Sequence, residues 1–140
     1  MKQYLYLLAV VCFPLRHLDV TSSFGYRVHP VTGQYGFHAG IDLRAHSDTV
    51  YAVLDGHVTV GYNPWLGVYA KITNGPFCVT YGHLSQLFVA AGTLTAAMPL
   101  GVTGSTGRTT GEHLHFAVQY NHHYIDPLAF LSAAPSIINP

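Results

Sequence analysis

A period-two alternation of apolar and polar residues recurs through the middle of the chain, and short turn motifs interrupt it. Such alternation is typical of strands that are buried on one face, whereas the spacing of an amphipathic helix is nearly absent. Asp55-Gly56 lies between two alternating runs, and Asn74-Gly75 separates residues 68–73 from residues 77–83, so each dipeptide predicts a hairpin. Asn121 and its neighbours predict a further turn. We therefore expect an all-β fold built on a mostly antiparallel sheet with long loops.

The length of the chain, 140 residues, is that of a single domain. We expect this domain to cover residues 21–132, with a helical turn near residues 126–131 and a frayed tail over residues 133–140. Residues 1–20 form a short apolar N-terminal segment, whose run Tyr4–Phe13 is too short to cross a bilayer, which takes about 20 residues. We interpret this segment either as the core of a signal peptide or as a buried first strand, and we expect no integral membrane span.

Charged residues are scarce, whereas histidines are abundant. Only 9% of the residues are charged, six acidic and six basic, which does not fit a protein that binds nucleic acid or an anionic membrane surface. The ten histidines outnumber all lysines and arginines together. We therefore expect some histidines to act as metal ligands or as acid-base groups in a local site.

The stretch GEHLHF, which begins at Gly111, places two histidines in an apolar setting. On a strand, Leu114 faces the core while His113 and His115 share the other face, with their Cα atoms about 7 Å apart. Both imidazoles can therefore reach a common site. Glu112 points to the opposite face, so we do not expect it to be a general base, unlike the glutamate of a helical HExxH motif.

Further ligands are available in FHAGIDL, at residues 37–43. His38 and Asp42 are four residues apart, but the surrounding glycines argue against a helix. Four extended residues span about 13 Å, too far for two ligands of one ion, so the chain must bend near Ala39-Gly40. Two nitrogens and one carboxylate oxygen would leave tetrahedral zinc one open position, as in catalytic sites. The residues alone do not decide which histidine of the HLH pair is the ligand.

The remaining histidines stand apart from this pattern. His83, in TYGHLS, is predicted just past the end of a strand and is weak evidence on its own. A lone histidine is by default a surface residue or a hydrogen-bonded structural residue. We apply that interpretation to six others, which are His17, His29, His46, His57, His122 and His123.

Five ordered motifs resemble those of the lysostaphin-like, or LytM-type, zinc metallopeptidases, which cut peptide bonds in peptidoglycan. The likeness extends from about Thr21 to Leu131, and five motifs in order are far more specific than one short pattern. The motifs are SSFGYRVHPVTG at 22–33, FHAGIDL at 37–43, AVLDGHV at 52–58, YGHLS at 81–85 and GSTGRTTGEHLHF at 104–116.

The resemblance implies a role for each matched residue. His38, Asp42 and His115 would hold one zinc ion per chain, while His83 and His113 would be the catalytic histidines. The implied fold is a twisted antiparallel sheet that makes an open half-barrel, with long loops around a zinc-containing groove. Which of the two catalytic histidines is the general base stays open.

The implied function is that of a zinc metalloendopeptidase acting on a peptidoglycan peptide, in the cell envelope, either in the periplasm or secreted. Several positions depart from the family pattern. Glu112 replaces a proline or small residue, Ala117 replaces a common glutamate, and the stretches at 45–50 and 94–101 match the family more loosely. None of these departures removes a ligand or a catalytic histidine.

Two other functions compete with this one. A catalytically silent LytM-like domain would regulate or scaffold other wall hydrolases, and such domains usually have a broken motif, whereas this one is intact. A histidine-rich metal-storage or carbohydrate-binding protein is the third alternative. The sequence leaves open whether the bond cut lies in a glycine bridge or in a D-amino-acid peptide, and it leaves open the oligomeric state.

Overall fold

The computed structural model describes residues 12–30 and 32–132. The predictions for the apolar run up to residue 11 and for the tail from residue 133 lie outside these residues. The described part contains twelve strands and one short helix. They are β1 (Val20–Ser22), β2 (Gly25–Val28), β3 (Tyr35–His38), β4 (Ile41–Arg44), β5 (Thr49–Tyr51), β6 (Gly56–Asn63), β7 (Gly67–Asn74), β8 (Phe77–Leu87), β9 (Gly92–Leu94), β10 (Pro99–Thr103), β11 (His113–Tyr120), β12 (His123–Ile125) and α1 (Pro127–Ser132).

Ten of these strands form one antiparallel sheet. Its main path runs in the order β1-β4-β11-β8-β7-β6-β9, while β10 joins β5 to β8 and β12 pairs with β11. Its two end strands do not pair with each other, so the sheet is open. Strands β2 and β3 form a separate hairpin. The predicted all-β, mostly antiparallel fold is confirmed, and no helix among the described residues is long and apolar enough to cross a bilayer.

The hydrophobic core lies against one face of the central strands β4, β11 and β8. Ile41 and Leu43 of β4, and Leu114 of β11, are fully buried there. Tyr81 of β8 is also fully buried, and its hydroxyl accepts a hydrogen bond of 2.9 Å from the amide of Val53. Because neighbouring residues of a strand face opposite ways, the alternate side chains of these strands point away from the core.

Three predicted local features are confirmed. Strands β7 and β8 pair as the predicted hairpin, with Asn74 as the last residue of β7 and Gly75-Pro76 as the turn, and Gly75 has a positive φ of 55°. Strands β11 and β12 pair through a turn in which Asn121 has a φ of 48°. The helical turn is α1, at whose start a carboxylate oxygen of Asp126 accepts a hydrogen bond from the amide of Leu128.

The hairpin predicted at Asp55-Gly56 is wrong. Strand β5 pairs with β10, while β6 pairs with β7 and β9, so the two strands on either side of this dipeptide are not partners. Gly56 is not among the glycines with positive φ. A Cβ atom at Gly56 would lie 2.3 Å from the carbonyl oxygen of Thr73, so glycine is needed here because β6 and β7 approach closely.

Candidate metal centre

Asp42 lies at the centre of the site because of its position in β4. Its neighbours Ile41 and Leu43 are fully buried in the core, so the alternation of the strand directs Asp42 to the opposite face. His115 of β11 is its direct cross-strand partner, and the Nδ1 atom of His115 lies 3.1 Å from Oδ1 of Asp42. The register of two strands therefore brings together residues that are 73 positions apart.

His38 reaches the same carboxylate through the predicted bend. Strand β3 ends at His38 and β4 begins at Ile41, and Nε2 of His38 lies 3.4 Å from Oδ1 of Asp42. Nδ1 of His38 lies 3.0 Å from the carbonyl oxygen of Ser23, which can only accept, so Nδ1 carries the proton and Nε2 has the free lone pair.

Glycine is required in this bend for lack of space. Gly40 has no positive φ. A Cβ atom at Gly40 would lie 2.6 Å from the carbonyl oxygen of Phe116 and 2.9 Å from Cε1 of His115. The expected bend is present. Its glycine is needed because the chain passes close to β11, not because the bend requires a positive φ.

His38, Asp42 and His115 are arranged as a group that could hold a metal ion. One ligand atom from each residue lies within 4.8 Å of the others. Two imidazole nitrogens and one carboxylate oxygen are a donor set that suits zinc. Burial raises the pKa of Asp42, but the imidazole rings of His115, His38 and His113 around the carboxylate lower it more, so this pKa lies well below its usual range. The carboxylate is therefore ionised at neutral pH, as a metal ligand must be.

His83 lies within β8, not past the end of a strand as predicted, and a bulge redirects its side chain. The β7–β8 register shifts between Val68 and Ala70, and His83 has a left-handed φ of 62°. Regular alternation would place His83 on the core face with Tyr81, whereas the extra residue of the bulge turns it toward the site. A bulge of this kind has no signal in a period-two pattern.

The ring of His83 is fixed by a hydrogen bond from Nδ1 to the carbonyl oxygen of Thr106, at 2.8 Å. The Nε2 atom is consequently the nitrogen with the free lone pair. Burial lowers the pKa of His83 below its usual value, and the bond to Thr106 only partly offsets this effect. His83 is therefore neutral near pH 7.

His113 lies beside His83. Their ring centroids are 4.7 Å apart, and Nε2 of His113 lies 3.5 Å from Oδ1 of Asp42. Nδ1 of His113 lies 3.0 Å from the carbonyl oxygen of Gly111. The expectation that both histidines of the HLH pair face one site, with Leu114 on the core side, is confirmed.

All five predicted site residues line one cleft of about 380 Å³. Its walls also include residues of the β2–β3 hairpin and of the glycine-rich loop before β11. Arg27 of β2 and Arg108 of that loop are the two arginines in the cleft. Reasoning from the sequence did not single out Arg27 or Thr106, although both lie within the matched motifs. The lining residues are Arg27, His29, Pro30, Thr32, Phe37, His38, Asp42, His83, Arg108, Thr109, Thr110, His113 and His115.

Glu112 has a structural contact outside the cleft. Its carboxylate accepts hydrogen bonds from the amide of Ser47 and from the hydroxyl of Thr103, the latter at 2.9 Å. These contacts tie the start of β11 to the loop between β4 and β5 and to the end of β10. Glu112 therefore anchors the strand that carries His113 and His115.

Comparisons with known proteins identify the family of this chain. The model of Peptidase family M23 matches residues 36–127. The DD-carboxypeptidase/endopeptidase Mpg of Neisseria meningitidis serogroup B is 35% identical over 130 residues, which cover 89% of this chain and 30% of that protein. The peptidoglycan DD-endopeptidase ShyC of Vibrio cholerae is 38% identical over 113 residues, covering 77% of this chain and 26% of that protein.

A solved structure of a peptidase is also similar to this chain. The crystal structure of a zinc containing peptidase from Vibrio cholerae matches with a TM-score of 0.77 and 30% identity, covering 94% of this chain and 41% of that one. The chain spans less than a third of the length of the two curated relatives. The family match covers more than half of the chain and includes all five predicted site residues. The chain therefore belongs to peptidase family M23, the LytM-type family that its motifs predicted.

Proposed function

We propose that this protein is a zinc-dependent endopeptidase that hydrolyses peptide bonds of bacterial peptidoglycan in the cell envelope, either in the periplasm or outside the cell. The observation that carries the proposal is the convergence of two groups in one cleft. One group, His38, Asp42 and His115, could hold a metal ion, and the other is the neighbouring pair His83 and His113. The names of similar proteins, which include peptidoglycan DD-endopeptidases, support the choice of substrate.

In this proposal His38, Asp42 and His115 hold one zinc ion, which when bound would lower the pKa of a water molecule toward 7 and polarise a peptide carbonyl. The protein would contribute the proton transfers. One of His83 and His113 accepts a proton at its free Nε2 as water attacks the carbonyl carbon. The other stabilises the developing oxyanion with a hydrogen bond, or gives a proton to the leaving amine.

The hydrogen bonds to backbone carbonyls make this division of work possible. The carbonyl oxygen of Thr106 accepts a hydrogen bond from Nδ1 of His83 and so fixes its tautomer. The carbonyl oxygen of Gly111 lies 3.0 Å from Nδ1 of His113 and can accept in the same way. Each ring therefore has its second nitrogen available in the cleft. The low pKa of His83 keeps that residue unprotonated near neutral pH, which is the state that a general base requires.

The proposal is tested by digesting purified peptidoglycan with the zinc-loaded protein and determining the masses of the released fragments. We expect cleavage of peptide bonds that stops when a chelator removes the metal and resumes when zinc is restored. The variant His83→Ala should bind zinc and release almost no fragments, whereas His57→Ala, at an exposed histidine outside the cleft, should behave like the wild type.

Two results would refute the proposal. Fragments that continue to appear after chelation would exclude a metal-dependent reaction. A zinc-loaded protein that binds peptidoglycan but releases nothing would instead support the regulatory alternative, in which the domain acts on other wall hydrolases.

A further inference from the structure

We propose that Arg27 binds a free carboxylate of the substrate on a residue adjacent to the cleaved bond, and that Arg108 adds positive charge to the same part of the cleft. The inference rests on the proposed peptidase function and identifies the class of peptide that the site accepts. It predicts a preference for anionic peptides over neutral ones, such as a run of glycines.

The register of the β2–β3 hairpin places Arg27 beside the site. Gly25 is opposite His38, and Arg27 is opposite Gly36, two residues along each strand. Side chains of a hairpin alternate between its two faces, so Arg27 and His38 lie on the same face. Both residues line the cleft.

One nitrogen of the Arg27 guanidinium lacks a hydrogen-bond partner among the described residues. This nitrogen is the buried Nε atom. A buried donor of a charged group is costly to leave unpaired. In contrast, Arg44 on the neighbouring β4 pairs with Asp19, at 2.7 Å. A carboxylate in the cleft would give this guanidinium the acceptor and the counter-charge that the described residues do not provide.

The acidic residues of the described chain do not neutralise the two cleft arginines. No carboxylate among those residues lies within ion-pair distance of Arg27 or Arg108. Asp42 is the one acid among the cleft-lining residues, and three histidines surround its carboxylate. Arg108 packs over the ring of Trp65, with its Cζ atom 5.0 Å from the centroid, which supports the side chain without neutralising its charge.

The hairpin leaves room for a ligand next to Arg27. Its cross-strand partner is a glycine, and a Cβ atom added at Gly36 would meet nothing within 4 Å. A planar guanidinium binds a carboxylate through two parallel hydrogen bonds, which gives both affinity and a fixed orientation. A stem or cross-link peptide can keep a free carboxylate beside the cleaved bond, whereas the interior of a glycine bridge has none. The geometry therefore favours the former class.

The test uses two synthetic peptides that differ only in one group beside the cleaved bond, a free carboxylate or its primary amide. We expect the wild-type, zinc-loaded protein to have a kcat/KM roughly tenfold or more higher for the acid. Arg27→Gln should reduce the preference for the acid to within about twofold. Arg27→Lys should keep part of the preference, because lysine retains the charge but cannot form the two parallel hydrogen bonds of a guanidinium. Arg16→Gln, at an exposed arginine outside the cleft, should leave the preference unchanged.

A second variant tests the inference without removing the arginine. Gly36→Asp places a carboxylate opposite Arg27 at a position with space for a side chain, and it should also reduce the preference for the acid. Equal cleavage of acid and amide by the wild type would overturn the inference and leave the peptidase function standing. If the wild type cleaved neither these peptides nor peptidoglycan, the proposed function would fail and the inference with it.

Discussion

Replacing Gly40 with alanine adds one methyl group where the bend between β3 and β4 passes β11. The new Cβ atom would lie 2.6 Å from the carbonyl oxygen of Phe116, 2.9 Å from Cε1 of His115 and 3.1 Å from Cβ of Ala117. The first and third of these atoms are part of the backbone or directly attached to it, so they cannot rotate away. Either the bend or β11 must therefore move, and each carries a candidate metal ligand.

The expected size of the effect follows from the cost of overpacking, which is about 1–3 kcal/mol for an added methyl group in a tightly packed place. If the movement separates His115 from Asp42, this penalty appears as a zinc affinity that is weaker by a factor of about 5 to 150. If the strands move together, it appears as a lower free energy of unfolding of the zinc-free protein. The sum of the two losses should fall in the stated range.

Two measurements separate these effects. Competition with a chromophoric chelator gives the dissociation constant of zinc, and denaturant unfolding of the zinc-free protein gives its stability. The control is Gly36→Ala in the same hairpin, because a Cβ atom at Gly36 would contact nothing within 4 Å. If Gly40→Ala matched Gly36→Ala in both measurements, the close approach of the bend to β11 would have no energetic consequence and the reasoning would be refuted.

Four further predictions concern the residues around the site. His83→Ala should keep its zinc but lose activity by roughly 10²- to 10⁴-fold, the usual contribution of a general acid or base, and full activity with normal zinc content would exclude a catalytic role. Burial lowers the pKa of His83 below 6.5, so a general base at this position becomes protonated only below that pH. The acidic limb of kcat/KM should therefore lie below pH 6.5, and a limb above pH 6.5 would contradict the role of His83 as general base. The pKa of Asp42 in the folded protein lies below its ordinary value of 3.8. The ionised carboxylate therefore stabilises the zinc-free protein above pH 3.8, and this stabilisation is lost as the pH falls further. Melting temperatures should show this acid sensitivity, and Asp42→Asn should weaken it. Glu112→Ala should lower the free energy of unfolding by about 1–3 kcal/mol by leaving Ser47 and Thr103 without their acceptor, while the zinc content stays at one ion per chain; an unchanged stability in denaturant would argue against the anchoring role.

The turns show how far local patterns can be used to predict this fold. Asn74-Gly75 forms the expected hairpin because positive φ at Gly75 is a requirement of the turn itself. Asp55-Gly56 has the same local signal, yet Gly56 is needed because β6 and β7 approach closely. A turn dipeptide and a close-approach glycine look alike in sequence, since both need a residue without a side chain.

The site shows a similar limit. The alternation in β11 predicted that His113 and His115 share a face, and the glycines around His38 and Asp42 predicted a bend. These conclusions need only the local geometry of the chain. The position of His83 could not be obtained in this way, because a bulge in β8 reverses the direction that regular alternation would give its side chain.

The sequence by itself determined the all-β character of the fold and the fact that His113 and His115 share one face of β11. Through its motifs it also determined the family to which the chain belongs. The tertiary structure decided which strands pair, and so it decided that Asp42 meets His115 and that Glu112 anchors β11 to a distant loop. It also decided that Arg27 lines the cleft, with its Nε atom unpartnered among the described residues. The physical reason is the range of the forces involved. Backbone geometry depends on a few neighbouring residues, so a short sequence pattern can predict it. Strand register and the pairing of buried charges depend on contacts between residues far apart in the chain.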